Sequence, residues 1–343
     1  MDTAIAEKRP AQTARGAVLL AAALVLVWLT ADALLLLFGA VLLGILLRTI
    51  STGVVKVTGL PHGLALAMAT LGLLSVFGLL GYLFIPRLAE QVRELRETLP
   101  AAWEKLNAQL AAYGWAKDLM EEAPPVDKVL SGTGKVFSRI TGAVSGTVSA
   151  VASAILVLVL ALFFAGDPQI YVNGFLRLVP MERRRRYQEL AGRLHHALRH
   201  WLIGQLLAMA FIGVLTGSGL AIIGVPLTLA LTLLAALLNF IPNLGPIIAA
   251  VPAVLLALTQ SWQDALWVIG VYVVAQNIEG YLFTPMVQKK AVNIPPALTI
   301  SSQLVFGLLF GFAGVALATP LAVATMVTVQ TLYVEDTLGD FGQ

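Results

Sequence analysis

The chain has 343 residues, of which 58 % are hydrophobic and 12 % charged, with a mean hydropathy of +0.86. Soluble domains carry about a quarter charged residues, so this balance excludes an ordinary soluble domain and predicts an all-α, polytopic integral membrane protein. The absence of cysteine excludes a disulfide framework, thiol catalysis and a cysteine-ligated metal, and the net charge of +3 lies in patches beside apolar runs, which is how membrane flanks look rather than a nucleic-acid surface.

In chain order, residues 1–85 read as N-terminal membrane helices. Lys8-Arg9, the apolar run from Ala17 and Ala31-Asp-Ala33 imitate a cleaved signal peptide, but Leu34-Leu-Leu-Leu-Phe38 is a poor start for a soluble mature chain. Gly16–Thr30 and Ala33–Leu47 each fall short of the roughly 20 residues of a full span. With Asp32 between them they predict a short helical hairpin, and His62–Ile85 a full span. Residues 86–141 read as a helical extramembrane insertion in which Leu88, Val92, Leu95, Leu99, Leu106, Leu110 and Tyr113 recur at spacings of three and four, and Pro100 divides it in two. That stripe suits packing on the protein's own membrane face and coiled-coil-like pairing with a neighbouring subunit equally well. Gly132-Thr-Gly-Lys135 imitates a phosphate loop, but Val129 and Val136 stand where the loop needs glycine and Ser/Thr.

Residues 142–334 form the expected membrane core, and 335–343 an acidic tail. Gly142–Ala165 is a full span whose Gly142, Gly146, Ala150 and Ala154 make one small-residue face for close helix packing. Asp167–His200 is strongly basic and is therefore expected on the cytoplasmic side of a bacterial inner membrane. Arg183, Arg184, Arg185 and Arg186 are expected to hold anionic lipid headgroups at about 1 kcal/mol per charge. His195, His196 and His200 read as a solvated face, with too few acids around them for a metal. Lys8, Arg9 and Arg15, and Lys289-Lys290, join the same side if the short pairs return to it, which places the N-terminus in the cytoplasm and 86–141 outside. Trp201–Val225 and Ala265–Phe283 are further spans; Leu227–Phe240 with Pro246–Leu258, and Pro296–Phe310 with Val315–Tyr333, are short pairs, giving about eight membrane helices in all.

From Trp201 to Gln288 there is no lysine or arginine and the only acids are Asp264 and Glu279. Inside that stretch lies Asn239-Phe-Ile-Pro-Asn-Leu-Gly-Pro246, where Pro242, Gly245 and Pro246 must end one helix and start another. Freed backbone is tolerated at membrane depth only where it is buried in protein or lines a cavity, and secondary transporters place their sites at such breaks. Gly311, Gly314 and Pro320 mark a second discontinuity. Glu279 shares a helix face with Tyr272, Gln276 and Phe283. An intramembrane acid is expensive and turns to the bundle interior or to water, so Glu279 reads as a coupling carboxylate, with a protonated tie between helices as the bland alternative. Asn239 and Asn243 flank the break as solute or cation ligands or as helix caps, and Gln205 reads as a hydrogen bond across helices. The expected substrate is a small molecule or a monovalent cation. No cofactor, metal or nucleic acid is expected, and without a nucleotide motif the energy must come from a gradient. A non-transporting oligomeric scaffold is the alternative class. An intramembrane hydrolase is disfavoured because Ser218 has no histidine or aspartate beside it to activate it.

Several motifs resemble one family. Phe164-Ala-Gly-Asp167, Gly204-Gln205, Gly224-Val-Pro226, Ile241-Pro-Asn-Leu-Gly-Pro246, Pro252, Gln276-Asn-Ile-Glu279, Pro285, Pro296, Gly311-Phe-Ala-Gly314 and Pro320 are similar, in order and spacing, to the autoinducer-2 exporter family, the PerM-like permeases. The likeness runs from about Phe164 to Thr331. Asn243, Pro295 and Gln288 depart from it, standing where that family usually has tyrosine, histidine and glycine. The resemblance implies a multi-span, homo-oligomeric permease with a helical insertion that exports autoinducer-2 or exchanges sodium or lithium for protons.

Overall fold

The computed structural model describes residues 8–83, 86, 90, 148–283 and 294–339, with the side chains of residues 8–29 and 148–150 excepted. The apolar stripe of the 86–141 insertion, Gly142, Gly146 and the Ala150 side chain, and Pro285, Gln288, Lys289 and Lys290 lie outside the described residues. Every regular element among the described residues is a helix.

Helix α1 (Lys8–Thr58) corrects the first expectation, because the chain makes one 51-residue helix and no hairpin at Asp32. An aspartate inside a helix costs only tenths of a kcal/mol against alanine, and Asp32 is exposed, so it neither breaks the backbone ladder nor buries a charge. Neither proline nor glycine stands between Ala17 and Phe38 to stop the helix. The side of the N-terminus therefore no longer follows from a return at Asp32. A turn at Gly59 (φ +70°) leads into α2 (His62–Leu83), of which only 17 % is buried. Most of α2 therefore faces outward from the single subunit.

Helix α3 (Val148–Gly166) meets α4 (Pro168–Arg177) at an 85° bend. Asp167 makes that corner: its side chain accepts a hydrogen bond from the Gln169 amide at 3.1 Å, and Pro168 supplies a pre-set first helical residue. Helix α5 (Met181–Ile223) runs unbroken through the basic stretch into the apolar one, until Gly224 (φ +79°) ends it in the left-handed region that glycine adopts at no steric cost. Then come α6 (Thr228–Leu238), α7 (Leu244–Gln260), α8 (Trp262–Ile278), which widens into a π-turn over Glu279–Phe283, and α9 (Pro296–Val329), which ends in a second π-turn over Gln330–Glu335. The short pair expected around Gly311 is present: α9 is two helical stretches that part at Gly311, whose φ of 62° and ψ of −142° are non-helical and open to glycine. Among the described helices five are long and apolar enough to cross a membrane, or six if α3 and α4 count as one bent span, while α6 and α7 are shorter. The protein is thus an all-α, polytopic membrane protein.

Helix α5 is the hub. Its apolar half packs with α6, α7 and α8 around Ile212, Leu220, Leu231, Leu238 and Val268, and its first half packs with α1 and α9 around Leu198, Trp201, Leu42 and Val323. At the basic end, Arg186 bonds to Glu335 (2.7 Å), Glu189 (2.9 Å) and Asp336 (2.9 Å), and Arg193 to Glu335 (2.6 Å) and Glu189 (2.7 Å). The start of α5 is thereby tied to the end of α9. The two guanidinium groups hold the Glu335 and Glu189 carboxyls below the usual range, so the tie is complete at neutral pH and is lost as the pH falls through their lowered pKa values.

Candidate functional site

The break between α6 and α7 is a tight corner rather than a loose loop. Gly245 N donates to Ile241 O at 2.9 Å and Leu244 N to Pro242 O at 2.8 Å, while Asn243, at φ 66° and ψ −52°, is the central residue of the γ-turn that the second bond closes. Pro246 is the third residue of α7, where its missing N–H costs nothing. A Cβ on Gly245 would overlap the Leu238 carbonyl, so only glycine lets the two helix ends close on each other. Trp201 on α5 holds the corner edge-on through Phe240, with ring centroids 5.7 Å apart.

Four candidates from the sequence converge on this corner. Asn239, the last residue before the break, is 1 % exposed, and its Nδ2 donates to Glu279 Oε1 at 3.1 Å. Gln276 Nε2 donates to Glu279 Oε2 at 3.1 Å, so both oxygens of the carboxylate are held by neutral amides. From α5, Gln205 Nε2 donates to the Asn239 carbonyl at 2.5 Å. A break frees carbonyls that must find donors when buried, and here a side chain from a third helix supplies one.

The second freed carbonyl shows what the sequence reading missed. Gln303 on α9 is 1 % exposed, and its Nε2 donates to Pro242 O at 2.8 Å while its own Oε1 is buried without a partner. The break is therefore bracketed by two glutamines, Gln205 and Gln303. Gln303 was findable as a lone amide in an apolar span, by the same argument that singled out Gln205.

The other candidates lie elsewhere. Asn243 is exposed and its side chain caps nothing. Tyr272 is buried but donates to Ala249 O at 3.4 Å, bracing α8 on α7 away from the carboxylate. Gly311 makes the kink in α9, and a Cβ on Gly314 would overlap the Phe306 carbonyl, a second corner closed by a glycine. Pro320 is a buried residue inside α9. In the arginine run, Arg183 and Arg185 are exposed, Arg184 Nε donates to Val179 O at 3.0 Å, and Arg186 is engaged with the carboxylates described above. The π-turn that carries Glu279 is pinned to α5 by Phe283, stacked on Phe211 at 4.4 Å. Such turns recur at functional sites because they re-aim a side chain that a regular helix would point elsewhere.

A broken helix pair, a buried carboxylate in its corner and amides from three further helices thus meet inside an all-α, polytopic membrane protein. The chain belongs to the AI-2E family of transporters, whose profile matches residues 17–333. It is 28 % identical over 271 residues to YrrI of Bacillus subtilis (strain 168), provisionally named a transport protein, covering 76 % of each chain. It is 23 % identical over 302 residues to the similarly named sll0060 of Synechocystis (strain PCC 6803), covering 82 % of this chain and 80 % of that one. A shorter match, 24 % over 135 residues and 39 % of each chain, is to TqsA of Escherichia coli (strain K12), named an AI-2 transport protein.

Proposed function

We propose that this protein is a gradient-driven exporter of a small polar solute such as autoinducer-2, and that the corner between α6 and α7 is its binding site. The observation that carries this reading is the placing of a buried carboxylate, Glu279, on the residue that ends α6, so that ligand chemistry and helix break share a hydrogen bond. The coupling follows from donor and acceptor rules. Asn239 Nδ2 and Gln276 Nε2 donate to the two oxygens of Glu279, so a proton added to either oxygen becomes an O–H donor that faces an N–H donor. Protonation therefore asks one of the two amides to turn over, and one of them belongs to Asn239, the hinge residue whose carbonyl Gln205 holds. A polyhydroxylated solute can replace the Gln205 and Gln303 amides as donor to the two freed carbonyls.

A second reading, Na⁺ or Li⁺ exchange for protons, is favoured by one specific fact. Among the described residues no cation pairs with Glu279, so a monovalent cation would supply the counter-charge that its two neutral amide partners do not. We place the protein in the bacterial inner membrane with Asp167–His200 in the cytoplasm, on the strength of its arginines, and the N-terminus on the same side on the strength of Lys8, Arg9 and Arg15. The outward-facing α2 supports assembly into a homo-oligomer. Counterflow in proteoliposomes preloaded with autoinducer-2, Na⁺ or Li⁺ tests the proposal. One of the three is expected to exchange above the rate in protein-free vesicles, and exchange of none would remove the site as a transport site for either class.

A further inference from the structure

Outside the polar corner lies a cavity of about 570 Å³ between α1, α4, α5 and the end of α9. Its walls are apolar, among them Phe38, Ile45, Val172, Phe175, Leu194 and Leu332, and no carboxylate lines it. It shares no residue with the Gln205, Asn239, Gln276 and Glu279 cluster. Such walls would leave the hydroxyls of a polar solute unpaired at a cost of about 1–3 kcal/mol each, so the cavity does not suit the transported species proposed above.

Two nitrogen-bearing side chains, Arg48 and His195, face this apolar space. Arg48 is half-buried, and its Nη1 donates to Ala165 O at 2.7 Å and Gly166 O at 3.2 Å, the carbonyl end of α3. It has no carboxylate partner among the described residues. His195 is exposed and presents a ring that, uncharged, still carries one N–H donor, so the positive charge at the cavity rests on Arg48. Burial, and then the charges of Arg199 and Arg48, hold the His195 imidazole below its usual pKa, as follows where cations converge with no acid between them. Beside the opening, α4 turns 85° from α3 and shows Ile170, Tyr171, Phe175 and Leu178 outward next to Arg177, the mixture of an interfacial helix.

We propose that this cavity holds one acyl chain of an anionic phospholipid from the leaflet that the arginine-rich segment faces, with the lipid phosphate between Arg48 and His195. Size supports a single chain. At ~30 Å³ for a water-sized unit the space takes about twenty such units, the scale of one chain's methylenes rather than of two chains. Charge supports the headgroup, since a phosphate supplies the counter-ion that Arg48 lacks. The bound lipid would join α1, the α3–α4 bend and α5 from the membrane side.

The test is native mass spectrometry of the purified full-length protein, with Arg183→Gln and Arg185→Gln in the background to remove exposed cations. It is titrated with phosphatidylglycerol, phosphatidylcholine and inorganic phosphate. We expect a phosphatidylglycerol adduct that is tighter than phosphatidylcholine, and no adduct with inorganic phosphate at the same concentration. Arg48→Gln should weaken phosphatidylglycerol about fivefold and phosphatidylcholine less, because the choline cation already balances that lipid's phosphate. Val172→Trp, which pushes a bulkier side chain into the chamber, should weaken both lipids. If Arg48→Gln fails to fold through loss of the α3 carbonyls, His195→Leu removes the other donor to the phosphate, and a fall in phosphatidylglycerol binding is expected. Equal binding of the two lipids, an unaltered adduct in Val172→Trp, or phosphate binding as tight as phosphatidylglycerol would each overturn the assignment.

Discussion

Glu279→Gln is expected to fold and assemble normally and to transport nothing above the leak of protein-free vesicles. The folding half follows from the hydrogen bonds. Asn239 and Gln276 each present an amide to Glu279, and an amide can turn over to offer its oxygen in place of its nitrogen. The variant side chain therefore donates to one neighbour and accepts from the other, and the change in stability should stay within the roughly 0.5–1.5 kcal/mol of one hydrogen bond. The transport half follows from charge. A glutamine can neither release a proton nor balance a cation, so coupled flux disappears and the remaining solute binding loses its pH dependence. Glu279→Asp keeps the charge on a stem one methylene shorter, and partial flux with a shifted pH optimum is expected. Flux measured from pH 6 to 9 in proteoliposomes decides the matter, and normal transport by the glutamine variant would make Glu279 a structural tie.

Gly245→Ala carries the second large effect, this time on the fold. The added methyl would overlap the Leu238 carbonyl, which is backbone and cannot swing aside, so the corner must open. Overpacking of this kind costs about 1–3 kcal/mol, occasionally more. It also drives Asn239 away from Glu279 and the Pro242 carbonyl away from Gln303. The expected result is a lowered thermal midpoint in detergent together with lost transport, whereas Gly270→Ala on α8, where the added methyl meets nothing within 4 Å, should leave the midpoint close to wild type. A midpoint for Gly245→Ala equal to wild type would mean that the corner is not closed as described.

How far the sequence could be read depended on whether a feature is local. The break was legible because Pro242, Gly245 and Pro246 act through their own backbone, whatever surrounds them. Gln205, Asn239, Gln276 and Glu279 were legible as a group because polar atoms in so apolar a stretch must find one another. Asp32 misled because an interruption in hydropathy is not an interruption in helix, and only the backbone chemistry of proline or glycine makes it one. The π-turn at Glu279 leaves no trace in composition, since it only shifts the hydrogen-bonding partner by one residue. The bond from Gln303 to Pro242 spans 61 positions and the one from Arg186 to Glu335 spans 149, so the first needed the tertiary fold to be seen, and the second turned a presumed headgroup ligand into a tie between helices. The 85° corner at Asp167-Pro168 stood in the sequence as a cap followed by proline, but was read only as part of a motif.

The central claim is that Glu279 is a working carboxylate at the corner between α6 and α7. Its most direct test leaves the protein unaltered. A membrane-permeant carbodiimide attacks a carboxyl group that is protonated and sheltered from water, and the modified residue is identified by mass spectrometry of the digested protein. The account predicts modification at Glu279, at a rate that falls as the pH rises and falls again when the exchanging solute, Na⁺ or Li⁺ from the counterflow assay is added. A Glu279 that stays unmodified, or that reacts at one rate whatever the pH and whatever is transported, would contradict it.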